Sequence, residues 1–221
     1  FLSKILNNHY RYPNFINKIE RIIQQLKREI MNNFCSYEIY KIFEKNRRIL
    51  LFLFEEKIIK IDEDISNEMP RDICVYLFPE KMIEKVPNDF KTKQKIGEND
   101  HLISKIIRKD LIEEFITFVS KNDYSLNNEI EKSIFETNDF LIKNYETTLI
   151  EYAAFFGSTQ IFRYLYKNGA ELTSSLWIYG IHSDNPEMIH LLEENKVKPP
   201  YKSYEECIKE SIKCHHNDVT N

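Results

Sequence analysis

Six apolar residues, Ile49, Met82, Phe115, Ile161, Met188 and Val219, hold the same place inside a short amphipathic phrase, and successive positions lie 33, 33, 46, 27 and 31 residues apart. Within each phrase apolar residues recur three and four positions apart with polar residues between them, the spacing of a helix with one buried face. A helix this short cannot bury that face alone. A period in the 30s therefore predicts helix-turn-helix units that bury it against the next copy, an all-α solenoid. Ahead of these units, Asn14 to Phe34 reads as one long helix. Its apolar positions are Phe15, Ile19, Ile22, Ile23, Leu26 and Ile30, and its polar face carries Lys18, Glu20, Arg21, Gln24, Lys27 and Arg28. Such a helix can cap the first unit.

The best-formed copy runs from Thr148 to Ala170. Thr148 opens its first helix, Ala153 and Ala154 allow close approach of neighbouring helices, and Gly157 supplies a left-handed turn after that helix. Ile161 and Phe162 open the second helix, and Gly169 closes it. This phrase resembles the ankyrin repeat across its whole length, departing at Leu149 and Glu151, where ankyrins usually carry Pro and His. Further copies follow in register. In the copy beginning at Ser175, Asp184 and Asn185 form the turn, Pro186 takes the first position of the second helix, and Trp177 stands where ankyrins place a core Leu.

The resemblance implies an all-α, ankyrin-like helix-turn-helix solenoid with an N-terminal capping helix. The expected divisions are residues 1–35 for the cap, then repeats at 36–64, 65–98, 99–146 with an insertion, 147–173, 174–200 and 201–221, the last one cut short. From about Ser36 to Glu210 the chain is similar to divergent protist families in which a domain of unknown function precedes ankyrin repeats. With Phe1 at its start and its end one residue past Thr220, it is expected to continue into further repeats.

The uneven steps locate the irregular parts. The step from Phe115 to Ile161 exceeds 33 by 13, which predicts an elongated finger or extra helix projecting from 122–145. The step from Ile161 to Met188 falls short by 6, which predicts a tight turn where many ankyrins extend a hairpin.

The resemblance also assigns a concave groove, whose positions fall on Tyr152 and Phe156, then Tyr179 and Ser183, then Glu210 and Cys214. Tyr152, Phe156, Tyr179, Ser183 and Glu210 are the candidate partner-binding residues, because rigid aromatics make strong interface anchors. Aromatics at helical spacing also pack against their neighbours, and both readings stand at this stage. The implied function is a protein-interaction scaffold with an unknown protein partner.

Composition fits this picture, with 42% apolar and 30% charged residues and only four Gly among 221 positions. The net charge of -4 gives no overall pull toward nucleic acid or membrane. Residues 1–60 nevertheless hold 12 Lys and Arg against 6 Asp and Glu, so an RNA or acidic partner at the basic N-terminal region is the alternative. The longest apolar run, Ile49 to Phe54, is far short of the roughly 20 residues a bilayer helix needs.

Cys35, Cys74, Cys207 and Cys214 lack the spacing of a disulfide framework and read as reduced core thiols, which with the family resemblance implies a cytoplasmic protein. Cys207, Cys214, His215 and His216 form the one Cys and His cluster in the sequence. Their spacing matches no paired-ligand zinc motif, and a turn is the preferred reading, with no metal. Neither a nucleophile elbow nor a phosphate-cradling Gly loop is present, so no enzyme activity and no cofactor are expected. If Ala154 lies in a close-packed interface, Ala154→Phe should lower stability by about 1–3 kcal/mol through overpacking. A calorimetric scan that matched the parent would remove that assignment.

Overall fold

The computed structural model describes residues 3, 13–144, 146–214 and 216. Among them the chain is all-helical, and its one β contact is an isolated antiparallel bridge between Glu129 and Thr148. The first eight helices are α1 (Pro13–Gln25), α2 (Lys27–Asn33), α3 (Ser36–Phe43), α4 (Arg47–Glu55), α5 (Glu63–Glu68), α6 (Arg71–Leu77), α7 (Pro79–Met82) and α8 (Phe90–Ile96). Next come α9 (Leu102–Arg108), α10 (Ile112–Asn122), α11 (Asp139–Lys143), α12 (Leu149–Phe156) and α13 (Thr159–Lys167). The last are α14 (Leu176–His182), α15 (Pro186–Glu194) and α16 (Glu205–Cys214), with a 3-10 turn at Pro200–Lys202 before α16. The chain divides into two compact units, residues 1–99 with 132–143, and residues 100–131 with 144–221.

In the first unit Ile19, Ile23, Ile39, Tyr40, Ile49, Leu50, Leu53, Ile65, Tyr76 and Phe90 form one buried cluster. The long helix expected from 14 to 34 occurs as α1 and α2. Its hydrogen-bond ladder continues through the break at Leu26, whose N–H donates to Ile22 and whose carbonyl accepts from Ile30. Ile19 and Ile23 face the core, while Ile22 and Leu26 remain exposed. At the other end of the unit, Tyr76 and Gln94 are tied twice, since the Tyr76 hydroxyl donates to the Gln94 carbonyl at 2.8 Å and the Gln94 amide donates back to the Tyr76 carbonyl.

Two expectations for this unit are corrected. Met82 was to be a buried anchor of the second repeat, yet it is 42% exposed, because α7 is a four-residue turn with Met82 at its last position. The insertion at 122–145 was to project, yet residues 132–143 belong to this unit's core. Phe135 packs edge-on against Phe90 at 4.9 Å, Thr137 donates to the Gly97 carbonyl at 2.7 Å, and buried Arg47 donates to the Ile134 carbonyl at 3.1 Å. Each contact removes a ring or a backbone polar group from water, which a projecting finger would leave exposed.

The second unit repeats one local design three times. The pairs α9/α10, α12/α13 and α14/α15 each turn through a left-handed residue two positions before the second helix: Asp110 (φ +52°), Gly157 (φ +68°) and Asp184 (φ +50°). The second helices also end alike. The N–H groups of Tyr124, Ala170 and Val197 reach back to the carbonyls of Val119, Leu165 and Leu192 at 3.0–3.1 Å, just after the left-handed residues Asp123, Gly169 and Lys196. This is the six-to-one closure that satisfies the last carbonyls of a helix. In the first unit α4 ends the same way, with Lys57 left-handed and Ile58 bonded to Leu53 at 2.9 Å.

The first helices of these pairs contact one another in sequence, α9 with α12, α12 with α14, and α14 with α16. The anchors Phe115, Ile161 and Met188 are fully buried, as is Ile49 in the first unit, whereas Val219 lies outside the described residues. Successive turns are bonded to each other. The Asp110 carboxylate accepts from the N–H groups of Gln160 and Ile161 at 3.0 and 2.9 Å, Ser158 donates to the Ile107 carbonyl, and Asn185 donates to the Gly157 carbonyl at 3.1 Å. A Cβ on Gly157 would stand 3.0 Å from the Asn185 amide nitrogen, so that position needs glycine for its φ and for the approach.

Asp110 thus caps a helix of the following pair. Asp110→Ala should lower the unfolding free energy by about 1–2 kcal/mol in a urea titration, the cost of an N-cap removed, and Asp110→Asn should retain most of it.

Candidate functional site

The five candidate groove residues all lie on α12, α14 and α16 or the turn after α14, but the second unit does not present them as an exposed strip. Tyr152 and Tyr179 are 2% and 5% exposed and Ser183 is 5% exposed; Phe156 and Glu210 are partly exposed. Their neighbours explain the burial. Arg108 donates to the Tyr152 hydroxyl at 2.9 Å and lies over the Phe156 ring at 5.9 Å. The hydroxyls of Tyr179 and Thr147 are 3.0 Å apart, and Thr147 donates to the Asn144 carbonyl. Ser183 turns its hydroxyl back onto the Gly180 carbonyl. Burial pushes the Tyr179 phenol up to about 12. Tyr152 and Tyr179 therefore serve packing, and Trp177 is buried as expected, its indole N–H donating to the Val197 carbonyl at 2.8 Å.

Chemistry converges at one place, where α14 meets α16. His182, on the last turn of α14, is 6% exposed, and its ring stacks on Phe155 of α12 at 5.2 Å. One ring nitrogen, Nε2, is 3.0 Å from Glu210 Oε1, and the other, Nδ1, is 3.5 Å from Cys214 Sγ. Glu210 and Cys214 are four positions apart and so share one face of α16. A neutral imidazole with its proton on Nε2 satisfies the set: it donates to the Glu210 carboxylate and accepts from the Cys214 thiol. The second carboxylate oxygen of Glu210 takes Lys213 Nζ at 2.7 Å.

The hydrogen bond from His182 holds the Glu210 carboxyl down at about 2, against the opposing effect of burial and with further help from Lys213. Burial pushes the Cys214 thiol up to about 12. A thiol with that value is protonated near neutral pH.

The sequence located only part of this group. Cys214 was recognised beside Cys207, His215 and His216, but Cys207 is buried elsewhere on α16 and His215 lies outside the described residues. The Nδ1 of His216 donates to the Ile181 carbonyl at 2.8 Å, a turn contact. The missed member is His182. The signal that could have found it is the sequence step of 27 to 31, close to the 28 positions between 182 and 210, whose helices are in contact. The expectation of four core thiols also needs correction at Cys35, which is exposed because its sulfur caps α3, accepting from the Glu38 N–H at 3.5 Å.

No family model matches the chain, and neither a curated protein nor a solved structure matches it.

Tyr179→Phe should cost about 1 kcal/mol at neutral pH, the value of one hydrogen bond. Because the folded phenol titrates above its ordinary 10.0, the parent loses stability as pH rises from 10 toward 12, a loss the phenylalanine variant lacks. Urea titrations at pH 7 and pH 11 should show the deficit of the variant shrinking with alkali.

Proposed function

We propose that this chain is a protein-interaction module of ankyrin-like repeats, with the helical first unit ahead of them. The observation that carries the reading is the recurrence of one turn and one helix ending in successive pairs of the second unit, with the first helices in contact one after another. Stacks of this kind present extended surfaces whose residues vary without disturbing the shared seams. A cytoplasmic setting belongs to the same reading. Among the described residues no helix is long and apolar enough to cross a membrane.

The contact surface moves away from the groove positions, where Tyr152 and Tyr179 are buried. Ile208 and Ile212 lie four positions apart on α16 and are 44% and 57% exposed, and Tyr204, just before the helix and edge-on to the Trp177 ring at 5.1 Å, is 50% exposed. They form an apolar stripe on the last described first helix, whose contacts with α14 bury Cys207, Ser211 and Cys214. The proposed occupant is an amphipathic helix of a partner protein, laid on α16 as the first helices lie on one another.

The alternative of an RNA or acidic partner at the basic N-terminal region gains less support. Lys41 is held by Glu44 and Glu68, Arg48 by Glu20, Lys27 by Glu56 and Arg47 by Asp72, so four of the twelve cations there are already paired. Phosphate binding draws its affinity from uncompensated cations.

Ile208→Glu combined with Ile212→Glu changes two exposed positions and should leave the thermal midpoint unchanged. In affinity capture from the native cell, the double variant should lose the partners the parent holds. A folded double variant that kept every partner would remove the stripe as the docking surface.

A further inference from the structure

We propose that His182, Glu210 and Cys214 form a binding site for a thiophilic divalent metal ion of the zinc class. Their ligand atoms, one imidazole nitrogen, one carboxylate oxygen and one sulfur, all lie within 4.8 Å of one another. This mixed set suits a borderline-soft ion such as zinc and disfavours calcium or magnesium, which seek oxygen alone. The charges also suit a buried place. A divalent cation with one thiolate, one carboxylate and one neutral imidazole leaves no net charge to desolvate. Three protein ligands leave a fourth position for water or a partner group.

The surroundings orient two of the ligands: the His182 ring is stacked on Phe155 and Lys213 holds the outer carboxylate oxygen of Glu210, while Cys214 shares the α16 face of Glu210. Such outer contacts orient metal ligands in known sites. In the metal-free state Glu210 and Cys214 each bond to His182, on opposite ring nitrogens. His182 Nε2 and Glu210 Oε1, 3.0 Å apart, are already as close as two ligands on one ion. Cys214 faces the other ring nitrogen, so binding requires its sulfur to turn toward the Nε2 side while the imidazole proton shifts to Nδ1. The balance is simple: the thiol and the divalent ion give a metal-thiolate bond and one released proton. The ion would tie α14 to α16 and brace the apolar stripe of α16 from behind. The site stands on its own geometry and holds whether or not the partner reading does.

The test uses the full chain, stripped with a chelator under reducing conditions and titrated with cobalt(II). The expected result is a thiolate-to-cobalt charge-transfer band and tetrahedral d-d bands saturating at one equivalent, both abolished by added zinc. Zinc should also raise the thermal midpoint of the parent. Cys214→Ser should lose the charge-transfer band, and His182→Gln and Glu210→Gln should bind at least tenfold more weakly. Glu210→Gln keeps an acceptor for His182, so it serves if the other variants fail to fold. Cys35→Ser, which changes the exposed thiol, should titrate like the parent. A parent spectrum without a thiolate band at one equivalent would overturn the proposal whatever the variants do, as would a folded Cys214→Ser with the parent's spectrum.

Discussion

The close approach of the first helices in the second unit is the constraint on which the rest of that unit depends. α12 is in contact with α9 and α14, and seven of its eight residues are buried. Ala153 and Ala154 have no exposed surface at all, and Phe155 and Tyr152 have almost none. A helix surrounded in this way can accept neighbours only where its side chains are small, and its large ones must fit between them. Gly180 obeys the same rule on α14, where an added Cβ would stand 3.0 Å from a methyl of Leu192. The burial of Tyr152 and Tyr179 follows, because the residues that could have faced a groove are covered by Arg108 and Thr147 of the same unit.

Much of the second unit was legible in the sequence because its signals are local. The left-handed glycines at 157 and 169, the Asn185 and Pro186 start of α15 and the buried anchors at 115, 161 and 188 all depend on residues within a few positions of each other. Exposure of the groove residues was not legible, since it depends on what the chain brings over them from elsewhere in sequence. The same holds for the 132–143 segment, whose Phe135 and Thr137 find partners about 40 positions away. Met82 misled for a different reason. Its Pro-Glu-Lys-Met phrase has the right composition, but the helix stops at that residue and never completes the turn that would bury it.

The His182 group brings together chemistry that no local motif encodes. A zinc motif read from sequence assumes ligands on one short loop or helix. Here two ligands come from one helix and the third from the preceding pair, 28 positions from Glu210. Burial of His182 and Cys214 would be costly if they were unpaired. The hydrogen-bond chain from thiol to imidazole to carboxylate removes that cost, and it does so with a protonated sulfur and an ionised carboxylate, the forms that their surroundings favour.

The turns carry the link between one pair and the next. A non-glycine residue in the left-handed region is disfavoured, and Asp tolerates it better than most because its short side chain bonds nearby groups. The chain has four glycines, while left-handed turns occur at Lys57, Asp110, Asp123, Asp184 and Lys196 as well as at Gly97, Gly157 and Gly169. At Asp110 the carboxylate that makes this conformation tolerable bonds the first N–H groups of α13, so strain in one pair is offset by a cap in the next. Lys57 and Lys196 have no such side chain, and there the compensation is the six-to-one backbone bond together with burial of the following Ile58 and Val197. An isolated pair would keep the strain of Asp110 and lose its compensation. Stability in this unit is therefore a property of adjacent pairs, and it is transmitted through the turns as well as through the apolar seam.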